Sequence, residues 1–476
     1  MYPSFREASG LLHVVAILAA LYDDELKAVL IDEPELSLHP QYQAFVRREI
    51  ERVAGDPTAG RKIVIYATHA PAMVRLRSVA DLPDVAFFSD AETPPTQVDQ
   101  SAGELQNRKL SAFARSLGAG HREALFATRP LVVEGPSDEI VLDALNAASG
   151  TNLHAAGGHI LPATGKGSMP TILKLLRLTG KEPAALAHLD AFTDDLGLVQ
   201  ACNDVAEGRA MALSRGHANL YDAAKPVHDQ LAALATTRWG EIEAIATKHS
   251  YWRAGDVADD ARRKRRAVAA ALLQADEAAV RDLPSGAEQW LPLRQRLTAV
   301  LSLLEAAGLF ILRHGTIEDS YAAPADHADK IATAWAESDA VAADPASARV
   351  RHATALRALQ HVSRAKPIDE SAAVAEAFLA VVAPALDELR RNPDATPADL
   401  AVASRHARDV AGLFRIIRAG DDSAPSLEVH LAAPGLDVSG FPLVVKADEN
   451  VNAVAQTAIR PSLRVAHREL RRARSP

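Results

Sequence analysis

Short apolar runs that end in a carboxylate or a histidine recur through the first part of this chain. One closes on Leu30-Ile31 and is followed by Asp32-Glu33-Pro34; another, Ile63 to Ala67, is followed by Thr68-His69-Ala70-Pro71. A third, Pro130 to Val133, leads into Glu134-Gly135-Pro136-Ser137-Asp138-Glu139. Runs this short, bounded by proline and glycine, predict buried strands. Ser137 suits the cap of a helix from Ile140 to Ala148, with Asp138 and Glu139 in its first turn. A glycine-rich strand (157–163), the turn Thr164-Gly165-Lys166-Gly167-Ser168, an amphipathic helix through Leu178 and a strand near Ala184 to Ala187 continue the alternation. From about 196 to 307, apolar residues at three-and-four spacing predict helices. Leu309 to Leu312 reads as a strand again, followed by Gly315-Thr316-Ile317-Glu318. A second helical zone is predicted from Ile331 to about Ala419, broken near Pro367 and Asn392-Pro393. Strand-like alternation then runs from Ser426 to Lys446, and Asp90 to Gly103 is a polar connector suited to a domain boundary. Strands alternating with helices predict an α/β protein with parallel sheets.

Parallel sheets present their chemistry at the carboxyl ends of their strands. Asp32-Glu33 at one such end and His69 at a neighbouring one supply what nucleotide hydrolysis requires: a carboxylate for a divalent cation, a second to polarise water, and a histidine near the terminal phosphate. The plainer alternative is a buried strand with an accidental Asp-Glu at its tip. Glu134 and Asp138, four residues apart at a strand-helix junction, repel unless a cation lies between them. Oxygen ligands point to a hard divalent ion, magnesium or manganese. Val-Glu-Gly at a strand end is nonetheless common, and by itself specifies little.

Composition narrows the classes. A chain of 476 residues, 48% hydrophobic, has room for several domains. No apolar run approaches a membrane span and no secretory leader opens the sequence, so a cytoplasmic protein is expected. The single cysteine, Cys202, excludes an intrachain disulfide framework. A net charge of −9 is not that of a general polyanion binder, so contact with DNA must be local. The densest basic run, Arg262-Arg263-Lys264-Arg265-Arg266, reads first as a solvated helix face flanked by Asp256, Asp259 and Asp260, and otherwise as a stripe that tracks a phosphate backbone. Lys166 reads as a turn lysine, and Trp239, Trp252 and Trp290 as core anchors of the helical zone.

The segments around Asp32-Glu33 and His69 resemble the Walker B, D-loop and switch-histidine segments of ABC-type ATPases of the SMC and RecF kind. Ser9-Gly10, heading an apolar helix, resembles a diverged signature segment whose amides would hold a nucleotide phosphate bound by a partner. The 476 residues contain no Gly-x-x-x-x-Gly-Lys-Ser/Thr run, so ATP is expected only where a partner supplies the P-loop. Val133-Glu134-Gly135 with the later His188-Leu189-Asp190 resembles the first two motifs of a Toprim domain, in which the second is Asp-x-Asp; here a histidine stands in the first carboxylate position. ATPase segments followed by Toprim, with Gly315-Thr316-Ile317-Glu318 and Lys330 beyond, resemble the overcoming-lysogenization-defect (OLD) family of ATP-dependent endonucleases.

The resemblance implies a partial ABC-type ATPase lobe (1–100), a Toprim domain (125–330) with a helical insertion (about 196–307), and a helical and mixed region (331–476). It implies two-metal cleavage of DNA phosphodiesters. Glu134, Asp138, Asp190 and Glu318 are then metal ligands, with Asp194 a possible substitute for the missing carboxylate. Glu134 also acts in catalysis, and Lys330 stabilises charge on the scissile phosphate. Asp32, Glu33, His69, Ser9 and Gly10 face nucleotide. An ATPase front half or a second copy of the chain is the expected partner. The alternatives are a catalytically impaired regulatory component and a DNA-processing ATPase accessory that only binds.

Overall fold

The computed structural model describes residues 9–89, 93–115, 118–253, 259–324, 329–363, 370–420, 424–433, 436 and 438–461. By contacts the chain forms two units, Met1–Arg364 and Ala365–Pro476.

The first unit opens on an apolar helix, α1 (Ser9–Tyr22), then β1 (Ala28–Asp32), α2 (Pro40–Val53) and β2 (Ile63–Ala67). The strands pair in parallel, Leu30 beside Ile65 and Asp32 beside Ala67. Proline at the first position of α2 and the His39 side chain on the Gln41 amide start that helix. Val14, Ile17 and Leu21 of α1 meet Val46 and Ile50 of α2 in a small core that includes Ile31 and Val64. That core covers one face of the sheet. On the other, Leu30, Ile65 and Ile63 are 77%, 61% and 48% exposed. Parallel sheets are ordinarily covered on both faces; here one face of the strand pair is left open to solvent.

The second layer system of the same unit is a four-stranded parallel sheet. Its strands are β3 (Arg129–Val133), β4 (Gly158–Pro162), β5 (Ala184–Ala187) and β6 (Leu309–Ile311), in spatial order β4-β3-β5-β6. Both faces are buried, as the near-continuous apolar strands require. Val132, Leu161, Ala185 and Ile311 pack into the core of the helical insertion, which includes the fully buried Trp290. Leu131, Val133, Ile160 and Phe310 pack on the other side against Val141, Leu142 and Leu145 of α3 (Pro136–Ser149) and against the helices Lys330–Ala343 and Ala353–Val362. These last helices, which the sequence reading grouped with the C-terminal region, therefore form a covering layer of the sheet.

The insertion is helical between β5 and β6, its elements running from Gly197–Ala201 to Leu291–Ala306. Trp239 and Trp252 are partly buried and stack on each other with ring centroids 4.6 Å apart. The Arg263 guanidinium lies 4.0 Å from the Trp252 ring and the Lys264 ammonium 5.4 Å from that of Trp239. The basic run is thus not simply a solvated face, because part of it packs on aromatics. Of the polar connector, Asp90 to Glu92 lie outside the described residues. Thr96–Gln97 pairs with Ala86–Phe87, and Val98 is buried in the core of the sheet and insertion.

In the second unit the helix Glu370–Arg391 packs with a three-stranded antiparallel sheet, Phe414–Ala419, Ser426–Leu431 and Leu443–Lys446. The predicted helix through Ala419 is corrected here: helix ends at Ala411, and Phe414–Ala419 pairs with Ser426–Leu431 in six-residue register. Ile416 and Ile417 are β-branched and suit a pleated surface, and the partner strand lies immediately downstream.

Candidate metal site at the carboxyl edge of the sheet

The carboxyl ends of the four strands converge. Glu134 follows β3, His188 and Asp190 follow β5, Lys166 lies in the turn after β4, and Glu318 lies in the turn that follows β6. Glu134 Oε1 accepts the His188 amide at 2.8 Å, which ties two strand ends together. Gly315 is held at φ +117°, where any side chain would press on Asp319 and His249; its carbonyl accepts the Leu189 amide at 2.8 Å. One donor atom each from Glu134, His188 and Asp190 lie within 4.8 Å of one another, a separation a metal ion can span.

The Asp-x-Asp histidine is built into this cluster. His188 Nε2 bonds Asp138 Oδ1 at 3.0 Å, and Nδ1 faces Glu134 Oε2 at 3.5 Å. Burial opposes charge on this ring, but the Asp138 and Glu134 carboxylates outweigh it and push the pKa to about 10. Burial raises the pKa of Glu134, opposed by the His188 charge and reinforced by Asp190. Asp138 is fully engaged: Oδ2 accepts the Gly135 amide at 2.9 Å while Oδ1 holds the ring. With Nε2–H fixed by a carboxylate, Nδ1 would be the atom offered to an ion beside Glu134 once an ion displaces its proton, the usual support of a metal-bound histidine. Asp138, read as a ligand from the sequence, has both carboxylate oxygens hydrogen-bonded, to the Gly135 amide and the His188 ring.

Glu318 is buried, and neither carboxylate oxygen has a hydrogen-bond partner; Oε1 faces the Lys330 ammonium at 3.3 Å. Burial raises its pKa, but the His188 charge opposes this and the balance falls below the ordinary value. Asp190 Oδ1 is likewise buried and unpartnered. The buried, unpartnered Asp190 Oδ1 beside a converging donor set fits a divalent cation. Asp194, the proposed substitute ligand, is not open. Its Oδ1 accepts Arg266 Nε at 2.8 Å, and Oδ2 accepts Lys166 Nζ at 2.6 Å and Arg266 Nη2.

Three residues that sequence reasoning missed surround these carboxylates. Lys166, read as a turn lysine, pairs with both Asp190 and Asp194. The signal that could have found it is its position, just past the carboxyl end of a parallel strand. Arg266 and Tyr251 come from the insertion: Arg266 reaches Asp194 and Asp190, and the Tyr251 hydroxyl accepts the Asp190 amide at 3.2 Å. Arg266 belongs to the basic run singled out in the sequence, which gave it no role at this edge; no local pattern marks Tyr251.

At the other parallel pair, Asp32 ends β1 and the Glu33 amide bonds the Ala67 carbonyl at 3.0 Å. Glu33 Oε1 lies 3.9 Å from His69 Nε2, and the His69 amide bonds Glu35 Oε1 at 2.8 Å. Glu33 and Ser37 hold φ of 47° and 59°, conformations that cost about 1–3 kcal/mol each and gather at functional turns. His13 of α1, not singled out from the sequence, lies 3.3 Å from the Glu33 carbonyl. Ser9 heads α1. Gly10 has a packing reason to be glycine, since a Cβ there would lie inside contact distance of the Ser37 carbonyl oxygen. Gly10→Ala is expected to lower the melting temperature of this lobe: the overpacking costs about 1–3 kcal/mol against about 1 kcal/mol gained in helix propensity.

A parallel strand pair followed by a four-stranded parallel sheet with a carboxylate-rich edge is consistent with an ATPase lobe followed by a Toprim domain. Residues 2–75 match the family described as "AAA domain, putative AbiEii toxin, Type IV TA system", and residues 125–190 match "Overcoming lysogenization defect protein-like, TOPRIM domain". The chain is 27% identical over 173 residues to the Old nuclease of Escherichia phage P2, and 29% identical over 120 residues to the OLD nuclease of Thermus scotoductus. These matches cover 35% and 25% of this chain, and 28% and 22% of the two nucleases, so the chain matches about a quarter of each relative's length. The two matched segments and the two relatives make the chain similar to ATPase and Toprim modules of OLD nucleases over those stretches. Among the described residues, no helix is long and apolar enough to cross a membrane.

Proposed function

We propose that this protein is a divalent-metal-dependent nuclease that cleaves phosphodiester bonds of DNA in its Toprim module. The observation that carries this reading is the convergence of Glu134, His188 and Asp190 within 4.8 Å at the carboxyl edge of the sheet. Those three residues would hold the ion. When bound, such an ion acidifies water and neutralises charge on a phosphoryl oxygen. The chain's own residues do the rest. Asp138 fixes the His188 ring, Tyr251 and Lys166 hold the segment and side chain of Asp190, and Lys330 beside Glu318 offers a positive charge to a phosphate oxygen. An imidazole donor favours manganese over magnesium.

The ATPase side is proposed to work only when joined to a P-loop-bearing half. Support comes from the exposed apolar face of β1 and β2 and from Asp32, Glu33 and His69 grouped at one edge. That half is expected to add strands over Leu30, Ile63 and Ile65 and to bring nucleotide to Asp32 and Glu33.

The test is nicking of supercoiled plasmid by the purified chain in manganese and in magnesium. Glu134-dependent nicking, stronger in manganese, supports the proposal; intact plasmid in both metals with added P-loop partner overturns it. One observation favours a second reading, a regulatory component with an impaired site: the His188 ring lies between Glu134 and Asp138, 3.5 Å and 3.0 Å from their oxygens, where a protonated ring pairs with both in place of an ion. Cleavage gained by His188→Asp in an otherwise inactive chain would establish that reading. For the nuclease, Asp138→Asn is expected to weaken manganese binding about 10–100-fold by freeing the ring, measured by titration calorimetry.

A further inference from the structure

A two-ion phosphodiesterase site holds its metals about 3.5–4 Å apart on shared carboxylates. In this chain the carboxylates next in line after Glu134 are Asp190 and Asp194, and both are already matched by fixed cations. Lys166 Nζ lies 2.6 Å from Asp194 Oδ2 and pairs also with Asp190 Oδ2. Arg266 grips Asp194 through Nε at 2.8 Å and through Nη2, which also lies 3.3 Å from Asp190 Oδ2. Two carboxylates and two cations leave this group neutral.

The cations are anchored rather than loose. Arg266 is followed by Ala267, Val268, Ala269, Ala270 and Leu272, all fully buried in the insertion core. Its guanidinium packs 5.7 Å from the Tyr251 ring, and neighbouring Arg265 bonds the Asp194 carbonyl at 3.2 Å. Lys166 is held in a turn whose Gly165 amide bonds the Glu134 carbonyl at 2.9 Å. A guanidinium cannot be neutralised to make room for a metal. Displacing it would leave a charge unpaired in a site where its side chain is 13% exposed.

We propose that Lys166 and Arg266 occupy the place of a second divalent ion, so that this Toprim site takes a single ion, at Glu134, His188 and Asp190. This rests on the metal-dependent reading above. The two cations then take over the second ion's electrostatic role: they neutralise Asp190 and Asp194 and lie within reach of a phosphodiester bound beside the first ion. The insertion, through Arg266, becomes part of the site it interrupts.

Electron paramagnetic resonance of manganese bound to the full chain tests this without reference to activity. The expected result is one Glu134-dependent ion with the spectrum of an isolated Mn²⁺ up to saturation. An exchange-coupled manganese pair in the parent chain overturns the inference while leaving the metal site intact. Absence of any Glu134-dependent ion overturns the proposed function and this inference with it. Lys166→Met combined with Arg266→Met, checked for folding by circular dichroism, is expected to admit a second, coupled ion on Asp190 and Asp194. A folded double variant that still binds one isolated ion overturns the role given to the two cations. Should the double variant not fold, the spectrum of the parent chain decides.

Discussion

Glu134→Ala is expected to abolish metal-dependent nicking, with a loss of about a thousandfold or more. An ion that stabilises transition-state charge is worth several kcal/mol, and each 1.4 kcal/mol is about tenfold in rate. Glu134 is the residue on which the edge of the sheet converges: it accepts the His188 amide, faces the His188 ring and shares the donor cluster with Asp190. Its loss removes a proposed ligand and also the tie between β3 and β5, so activity is to be compared with the circular dichroism of the variant. The measurement is initial nicking rate at saturating manganese. A variant that folds and retains more than a tenth of the parent rate would exclude Glu134 from the chemistry.

Glu337→Leu is expected to destabilise the larger unit by about 3–5 kcal/mol, the cost of removing one partner from a buried ion pair. Glu337 is 3% exposed. Its carboxylate accepts Arg351 Nη2 at 2.8 Å, His352 Nε2 at 2.9 Å and the Ala322 amide at 2.6 Å. Burial raises the pKa of Glu337, but the bonds from His352 and Arg351 outweigh burial and hold it below its ordinary value of 4.5. A depressed carboxylate contributes stability that is fully present above the unfolded-state pKa and is lost as pH falls through the lower folded value. The parent chain should therefore lose stability on acidification below about pH 4.5, and Glu337→Leu should flatten that loss. Urea titrations of both proteins at pH 7 and pH 4 provide the comparison. Equal acid sensitivity in the two would show that other carboxylates carry the pH dependence.

Much of the first unit was legible because its information is local. Ala28–Asp32, Ile63–Ala67, Arg129–Val133 and Ala184–Ala187 are short, mostly apolar runs that lead into a carboxylate or a histidine, and each forms a strand of a parallel pair. The helical character of the stretch between Ala184–Ala187 and Leu309–Ile311 was legible for the same reason, since three-and-four spacing needs no knowledge of partners. Phe414–Ala419 was misread because Ala- and Leu-rich helix precedes it. Only pairing with Ser426–Leu431 separates strand from helix in so short a segment.

Residue chemistry at strand ends told which side chains would be brought to an edge, because a parallel sheet aligns its carboxyl termini whatever the intervening sequence. That much the amino-acid order determined: two such edges, one with Asp32, Glu33 and His69, the other with Glu134, Asp190 and Glu318. What each side chain does there depended on groups distant in sequence. Arg266 meets Asp194 across 72 residues and Tyr251 meets Asp190 across 61. Those contacts turned Asp194 from an available ligand into a paired carboxylate, and the His188 contact turned Asp138 into a support for the ring. Ion pairing and hydrogen bonding act over a few ångströms of space and carry no periodic signature along the chain, so only the packed insertion and sheet could decide them.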